Sequence, residues 1–193
     1  MRTALKKFTQ IVPSKEFLQR HKTTASCFGR KSKLSFGSVL ALALCKSVKS
    51  LPVVLNEWCR NSSDTISASA LSQARQKFRH AAFIELLEEC IVRPTYSEGK
   101  YKRFRGHRLL AIDGSTLHLP ASKELINTFG TVRYLNGCQK LACDTVESKV
   151  SVLYDVLNEV PLAGSLHAGR VNDIKASIGY LEALLPGDIL IAD

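Results

Sequence analysis

The sequence predicts an α+β chain, a helical front segment followed by a mixed β-sheet with one α/β-type crossover helix. Three observations carry that expectation. Apolar residues recur at helical spacing up to residue 92 and give way to short strand-like runs from Arg108 onward. Charge changes at the same point: residues 1–108 hold 21 lysines and arginines against 7 acids, and residues 109–193 hold 6 against 10. Two apolar runs, Arg108-Leu109-Leu110-Ala111-Ile112-Asp113 and Ile189-Leu190-Ile191-Ala192-Asp193, each deliver an aspartate at the carboxyl end. With 193 residues, 45% of them hydrophobic, the chain has the material to bury a core as one or two domains.

The front region, residues 1–93, reads as helical. Ser35 is suited to cap a helix in which Phe36, Val39, Leu40, Leu44 and Val48 recur at helical spacing. Pro52 is expected to break it, with a shorter helical stretch through Val53, Leu55 and Trp58. A turn at residues 61–65 leads to a helix over residues 66–79, with Ile66, Ala70, Leu71, Ala74 and Phe78 on one face. Its other face carries Gln73, Arg75, Lys77 and Arg79. A further helix, residues 82–92, is expected to end at Pro94. Residues 94–107 form a basic linker, with Lys100, Lys102, Arg103, Arg105 and His107 interleaved with Tyr96, Tyr101 and Phe104.

Residues 108–193 form the sheet region. The first strand is expected over residues 108–119, and residues 121–147 read as irregular. Residues 149–157 alternate, Val150, Val152, Tyr154 and Val156 against Lys149, Ser151, Leu153 and Asp155, and predict a strand paired to residues 159–168. Asn172 or Asp173 caps a crossover helix with Ile174, Ile178, Leu181 and Leu185 as its apolar stripe. Pro186-Gly187-Asp188 then turns the chain into the final strand.

Several function classes have no support. The six cysteines include no Cys-x-x-Cys pair, and no histidine stands at zinc-finger spacing, so a reducing, cytoplasmic setting is expected. The longest clean apolar run, residues 39–45, is too short to span a bilayer, and the amino terminus lacks a signal-peptide apolar region. No membrane partner is expected. The chain has no Walker-type loop and no nucleophile elbow.

The candidate site is the pair Asp113 and Asp193. Neighbouring parallel strands joined by a helical crossover bring their carboxyl ends to one edge of a sheet. Two aspartates meeting there supply hard oxygen ligands, which favour Mg2+ or Mn2+ and the displacement chemistry such ions promote. An aspartate after four apolar residues is also expected to be buried and in need of compensation. The basic front suits double-stranded DNA, with Gln73, Arg75, Lys77 and Arg79 on a helix and Lys100, Lys102, Arg103 and Arg105 in the linker as candidate contacts. A merely solvated basic helix face is the plain alternative for the helix.

Ala111-Ile112-Asp113-Gly114-Ser115 and, 80 residues on (193 − 113), Leu185-Pro186-Gly187-Asp188-Ile189-Leu190-Ile191-Ala192-Asp193 resemble the DDE transposases of bacterial insertion sequences. Among these the chain is most similar to the insertion sequence four family. Ser67-Ala68-Ser69-Ala70-Leu71-Ser72-Gln73-Ala74-Arg75-Gln76-Lys77 and Ser151-Val152-Leu153-Tyr154-Asp155-Val156-Leu157 are similar to that family too. The resemblance implies an incomplete RNase H-like core holding strands 1–4, with Asp113 and Asp193 as catalytic, metal-holding acids. It implies Mg2+ or Mn2+, cleavage and joining of transposon ends and target DNA, and a second copy or an intact transposase as protein partner. A bacterial, nucleoid-associated location follows from it. The family's third acid, a glutamate in a Tyr…Arg…Glu…Lys signature, has no match in these residues, so the chain alone is expected to be catalytically impaired. The rival expectation is a non-catalytic DNA-binding protein or inhibitor derived from a transposase.

Overall fold

The computed structural model describes the chain apart from residues 1, 31, 46–47, 62–64, 98, 136–140 and 193. The fold is α+β, and the chain divides into two units, Met1–Pro94 and Thr95–Asp193.

The first unit is built from short helices: α1 (Arg2–Ile11), α2 (Lys15–His21), α3 (Phe36–Leu44), α4 (Leu51–Trp58), α5 (Ala68–Arg75) and α6 (Ala81–Leu87). Serines start three of them by accepting a backbone N–H: Ser14 from Phe17, Ser35 from Ser38 and Ser67 from Ala70. Two apolar clusters hold the unit. One gathers Phe17, Phe36, Leu40, Ala82, Leu86 and Cys90, and the other Leu34, Val39, Leu42, Leu55, Leu71 and Ala74. Edge-to-face ring contacts tie Phe36 to Phe17, Phe28 and Phe78.

Neither proline expected to stop a helix ends one. The Phe36 helix ends at Leu44, well before Pro52, and Pro52 stands in the first turn of α4, where its missing N–H has no intrahelical partner to lose. Val48 is fully exposed, outside that helix. Pro94 stands in the first turn of α7 (Arg93–Ser97), which a π-helical stretch, Glu88–Val92, joins to α6. The π turn hands the Arg93 N–H to the Glu88 carbonyl, an i→i−5 bond that lets the helical path continue.

The second unit is a five-stranded sheet with strands β1 (Leu109–Leu119), β2 (Val132–Leu135), β3 (Leu141–Asp155), β4 (Val160–Ala168) and β5 (Ile189–Ala192). β1 lies between β3, antiparallel to it, and β5, parallel to it. Along its other side β3 pairs first with β2 and then with β4. Residues 121–147 are therefore not irregular throughout. They hold α8 (Lys123–Phe129), capped by Ser122, then β2 and the first part of β3. Between β4 and β5 run α9 (Asp173–Ser177) and a 3-10 segment, Ile178–Ala183.

One expected face is reversed, and the alternation along β3 resolves into a buried and a half-buried side. On the second half of β3 the buried positions are Ser151, Leu153 and Asp155, whereas Val150, Val152 and Tyr154 are half-buried. The crossover segment packs on this side through Tyr180, which joins Leu153 in the core and whose hydroxyl donates to the Ser151 carbonyl and meets Ser165 Oγ at 2.8 Å. On the crossover itself, Ile174, Ile178, Leu181 and Leu185 are exposed, while Ala176 and Tyr180 are buried. The buried pair is four residues apart and Ile174 is exposed already within α9, so the expected stripe has the right period and the wrong phase.

Candidate functional site

The parallel pairing of β1 with β5 sets the site. Its partners are Leu109 with Ile189, Leu110 with Leu190, Ala111 with Ile191 and Ile112 with Ala192. The offset is 80 throughout (189 − 109, 192 − 112), which equals the separation of Asp113 from Asp193. Asp193 itself lies outside the described residues. Asp113 Oδ1 accepts the Gly114 N–H at 2.8 Å. The carboxylate borders a cleft of about 390 Å³ with Ile112, Gly114, Ser151, Ser177 and Ala192.

Asp113 is exposed, not buried as the apolar run before it suggested. Ile112 packs with the Leu110–Leu153–Tyr180 core, and strand alternation turns the next residue to the opposite face. The carboxylate therefore needs no internal counter-ion. Among the described residues, no three His, Cys, Asp or Glu side chains converge on one point. An exposed carboxylate with one oxygen left to solvent nonetheless suits Mg2+, which keeps several waters and takes few protein ligands.

The register is held from the other end by charged residues the sequence reading passed over. Arg108 immediately precedes β1 and Asp188 immediately precedes β5, and the two form a bidentate pair, Nε to Oδ1 at 2.7 Å and Nη2 to Oδ2. Both side chains are more than nine-tenths buried. Burial works to raise the Asp188 carboxyl, but the Arg108 hydrogen bond, the Leu185 N–H and the guanidinium charge outweigh it and hold the group below the usual carboxylate range. The same pairing raises Arg108. Next to it the Tyr96 ring lies 5.3 Å from the guanidinium carbon, and the Tyr96 hydroxyl donates to Asp155 Oδ2. Burial, and then the Asp155 carboxylate, push the Tyr96 hydroxyl above its ordinary range.

Asp155 is fully buried and accepts from the Leu157 and Asn158 N–H groups at 3.1 Å and from Asn158 Nδ2 at 2.9 Å. It closes the β3–β4 turn and is a structural acid. A signal for these roles exists in the sequence only as position: Arg108 and Asp188 stand one residue outside strands of identical grammar.

The predicted DNA contacts are exposed but do not share one helix face. Gln73 and Arg75 belong to α5, which ends at Arg75, so Lys77 and Arg79 fall beyond it. Chain reversal explains the early end: Thr23 N–H donates to the Lys77 carbonyl, Arg79 N–H donates to the His21 carbonyl, and Lys22 bridges Phe78. Gln73 and Lys77 border a cleft of about 520 Å³ with Arg30 and Cys27. Hydrogen bonds from Thr23 and Thr24 lower the Cys27 thiol. Arg75 borders a different, smaller cleft beside Lys49.

Lys100, Lys102, Arg103 and Arg105 are all exposed in the segment before β1. Arg103 lies over the Tyr101 ring at 4.4 Å, and Arg105 lies 5.5 Å from the Phe104 ring centre.

No family model, curated protein or solved structure matches the chain. No described helix is long and apolar enough to cross a membrane.

Proposed function

We propose that the chain is the amino-terminal and central part of a DDE transposase, with the sheet unit contributing an RNase H-like core. The observation that carries this reading is the coincidence of two offsets. The β1–β5 register advances by 80, and the two aspartates of the resemblance are 80 apart, so a register continued by one residue sets Asp113 beside Asp193. The strand order β4-β3-β1-β5, with the crossover between β4 and a β5 parallel to β1, supports the same reading.

In this reading Asp113 and Asp193 hold Mg2+ or Mn2+ through carboxylate oxygens. The ion, when bound, lowers the pKa of a bound water and stabilises the leaving oxygen in phosphodiester displacement. Asp113 faces solvent, which leaves room for DNA to approach, and the Gly114 N–H fixes one carboxylate oxygen. The Arg108–Asp188 pair positions the two strands and touches neither DNA nor metal. Basic residues of both units neutralise phosphates, so DNA affinity falls as salt rises.

Mn2+ titration followed by electron paramagnetic resonance tests the site. The chain should bind Mn2+ weakly, and Asp113→Asn or Asp193→Asn should each abolish that binding. Binding that survives both substitutions would remove the basis of the assignment.

A further inference from the structure

The basic segment before β1 closes into a hairpin turn held at both legs. Phe104 and His107 exchange both backbone hydrogen bonds, at 2.8 and 3.0 Å, across Arg105 and Gly106. Both central residues are left-handed, with φ of 51° at Arg105 and 90° at Gly106, the pattern of a type I′ turn. Glycine adopts this conformation freely, but arginine does so at a cost. A strained residue at an exposed tip points to a use for the side chain.

Both legs are anchored. The Lys102 N–H donates to Asn158 Oδ1 at 2.8 Å, and Asn158 Nδ2 returns a bond to the Lys102 carbonyl at 3.0 Å. On the other leg His107 Nδ1 meets the Gly187 carbonyl at 2.7 Å, and Arg108 is locked to Asp188. The tip between these anchors carries Phe104, 45% exposed, and Arg105 beside its ring. A Cβ built on Gly106 meets nothing within 4 Å, so the tip stands in open space. No acid occurs between residues 98 and 113.

We infer that this hairpin engages an unpaired base of DNA, with the Phe104 ring stacking on the base and Arg103 and Arg105 holding the flanking phosphates. The inference rests on the DNA-processing reading above and adds to it a preference for frayed or single-stranded DNA over intact duplex. A ring with one guanidinium beside it, on a braced turn, matches what single-strand binders use, a sequence-tolerant stacking platform beside cationic contacts. A duplex offers phosphates but no open base face, so arginines alone would serve it.

The test compares the full chain and its variants on two fluorescein-labelled oligonucleotides, a perfect duplex and the same duplex with an unpaired base. The chain should prefer the second. Phe104→Ala should reduce affinity for it by roughly five- to a hundredfold, as stacking on one base implies, with duplex affinity unchanged. Phe104→Trp should restore the preference, and near-UV circular dichroism should show that both variants fold. An equal affinity for the two oligonucleotides, or a preference that Phe104→Ala leaves intact, would overturn the inference alone. A chain that binds neither oligonucleotide would overturn the inference together with the DNA reading beneath it.

Discussion

The helical unit and the sheet unit solve the problem of a defined structure by different means. Thirteen buried residues form the two apolar clusters of the first unit, against three in the sheet cluster, Leu110, Leu153 and Tyr180. The buried polar side chains divide the opposite way, with His21 in the first unit and Arg108, Glu147, Ser148, Ser151 and Asp155 in the second. Apolar packing stabilises but tolerates shifts, because dispersion contacts have little direction. A bidentate ion pair and a four-bond carboxylate accept few alternatives, and here they stand at the strand ends where register is decided. Such groups suit a unit whose strands have to meet at a fixed offset.

The chain carries natural probes for separating the two units. Its one tryptophan, Trp58, lies in the first unit, and all five tyrosines lie in the second. Arg108→Leu is expected to have the largest effect, because it leaves Asp188 buried without its partner, a loss of about 3–5 kcal/mol. In urea the tyrosine-reported transition should move to lower concentration while the Trp58 transition stays. Leu40→Ala should do the converse, costing about 2–5 kcal/mol through the cavity it opens, read at Trp58. If both probes shifted equally for each substitution, the contrast between the units would fail.

Tyr96→Phe comes next, at about 1–3 kcal/mol for a buried Asp155 short of one donor. It should also change the alkaline behaviour. The Tyr96 hydroxyl is raised in the folded chain, so its contribution is complete below its ordinary value near pH 10 and is lost as pH rises beyond that. Tyr96→Phe should flatten this alkaline loss in the tyrosine signal. The lowered Asp188 gives the opposite limb: its contribution is present above about pH 4 and lost as pH falls through its lowered value. The smallest expected effect is Ser35→Ala, about 0.5–2 kcal/mol from the lost N-cap of α3, read at Trp58.

The same contrast explains what was legible in the sequence. The helix cap at Ser35, the strand from Leu109 and the offset between the two aspartates depend on local spacing, and local spacing is what a sequence displays. The alternation along β3 was legible, but not which side of it is buried, because Ser151 and Asp155 are residue types that usually face solvent. Tyr180 lies against Ser151, and Asp155 is held by Tyr96, Leu157 and Asn158. The crossover stripe differs in phase, not period: Ala176 and Tyr180 take the buried side in place of the four aliphatic residues Ile174, Ile178, Leu181 and Leu185. Arg108 and Asp188 went unnoticed because their partnership spans 80 residues and appears only when the strands pair. At the site, the position of Asp113 on β1 was legible, while its exposure was not, since four preceding apolar residues suggested a buried strand end.

Pairing of Asp113 with Asp193 requires the β1–β5 register to continue one residue beyond Ile112 and Ala192. The direct measurement is cross-linking of a chain carrying Asp113→Cys and Asp193→Cys, with the bridged peptides identified by mass spectrometry. A control chain carries Asp113→Cys and Leu190→Cys. A continued register gives a 113–193 bridge that forms readily and a 113–190 bridge that does not. A 113–190 bridge of equal or greater yield would contradict the register, and with it the pairing of the two acids.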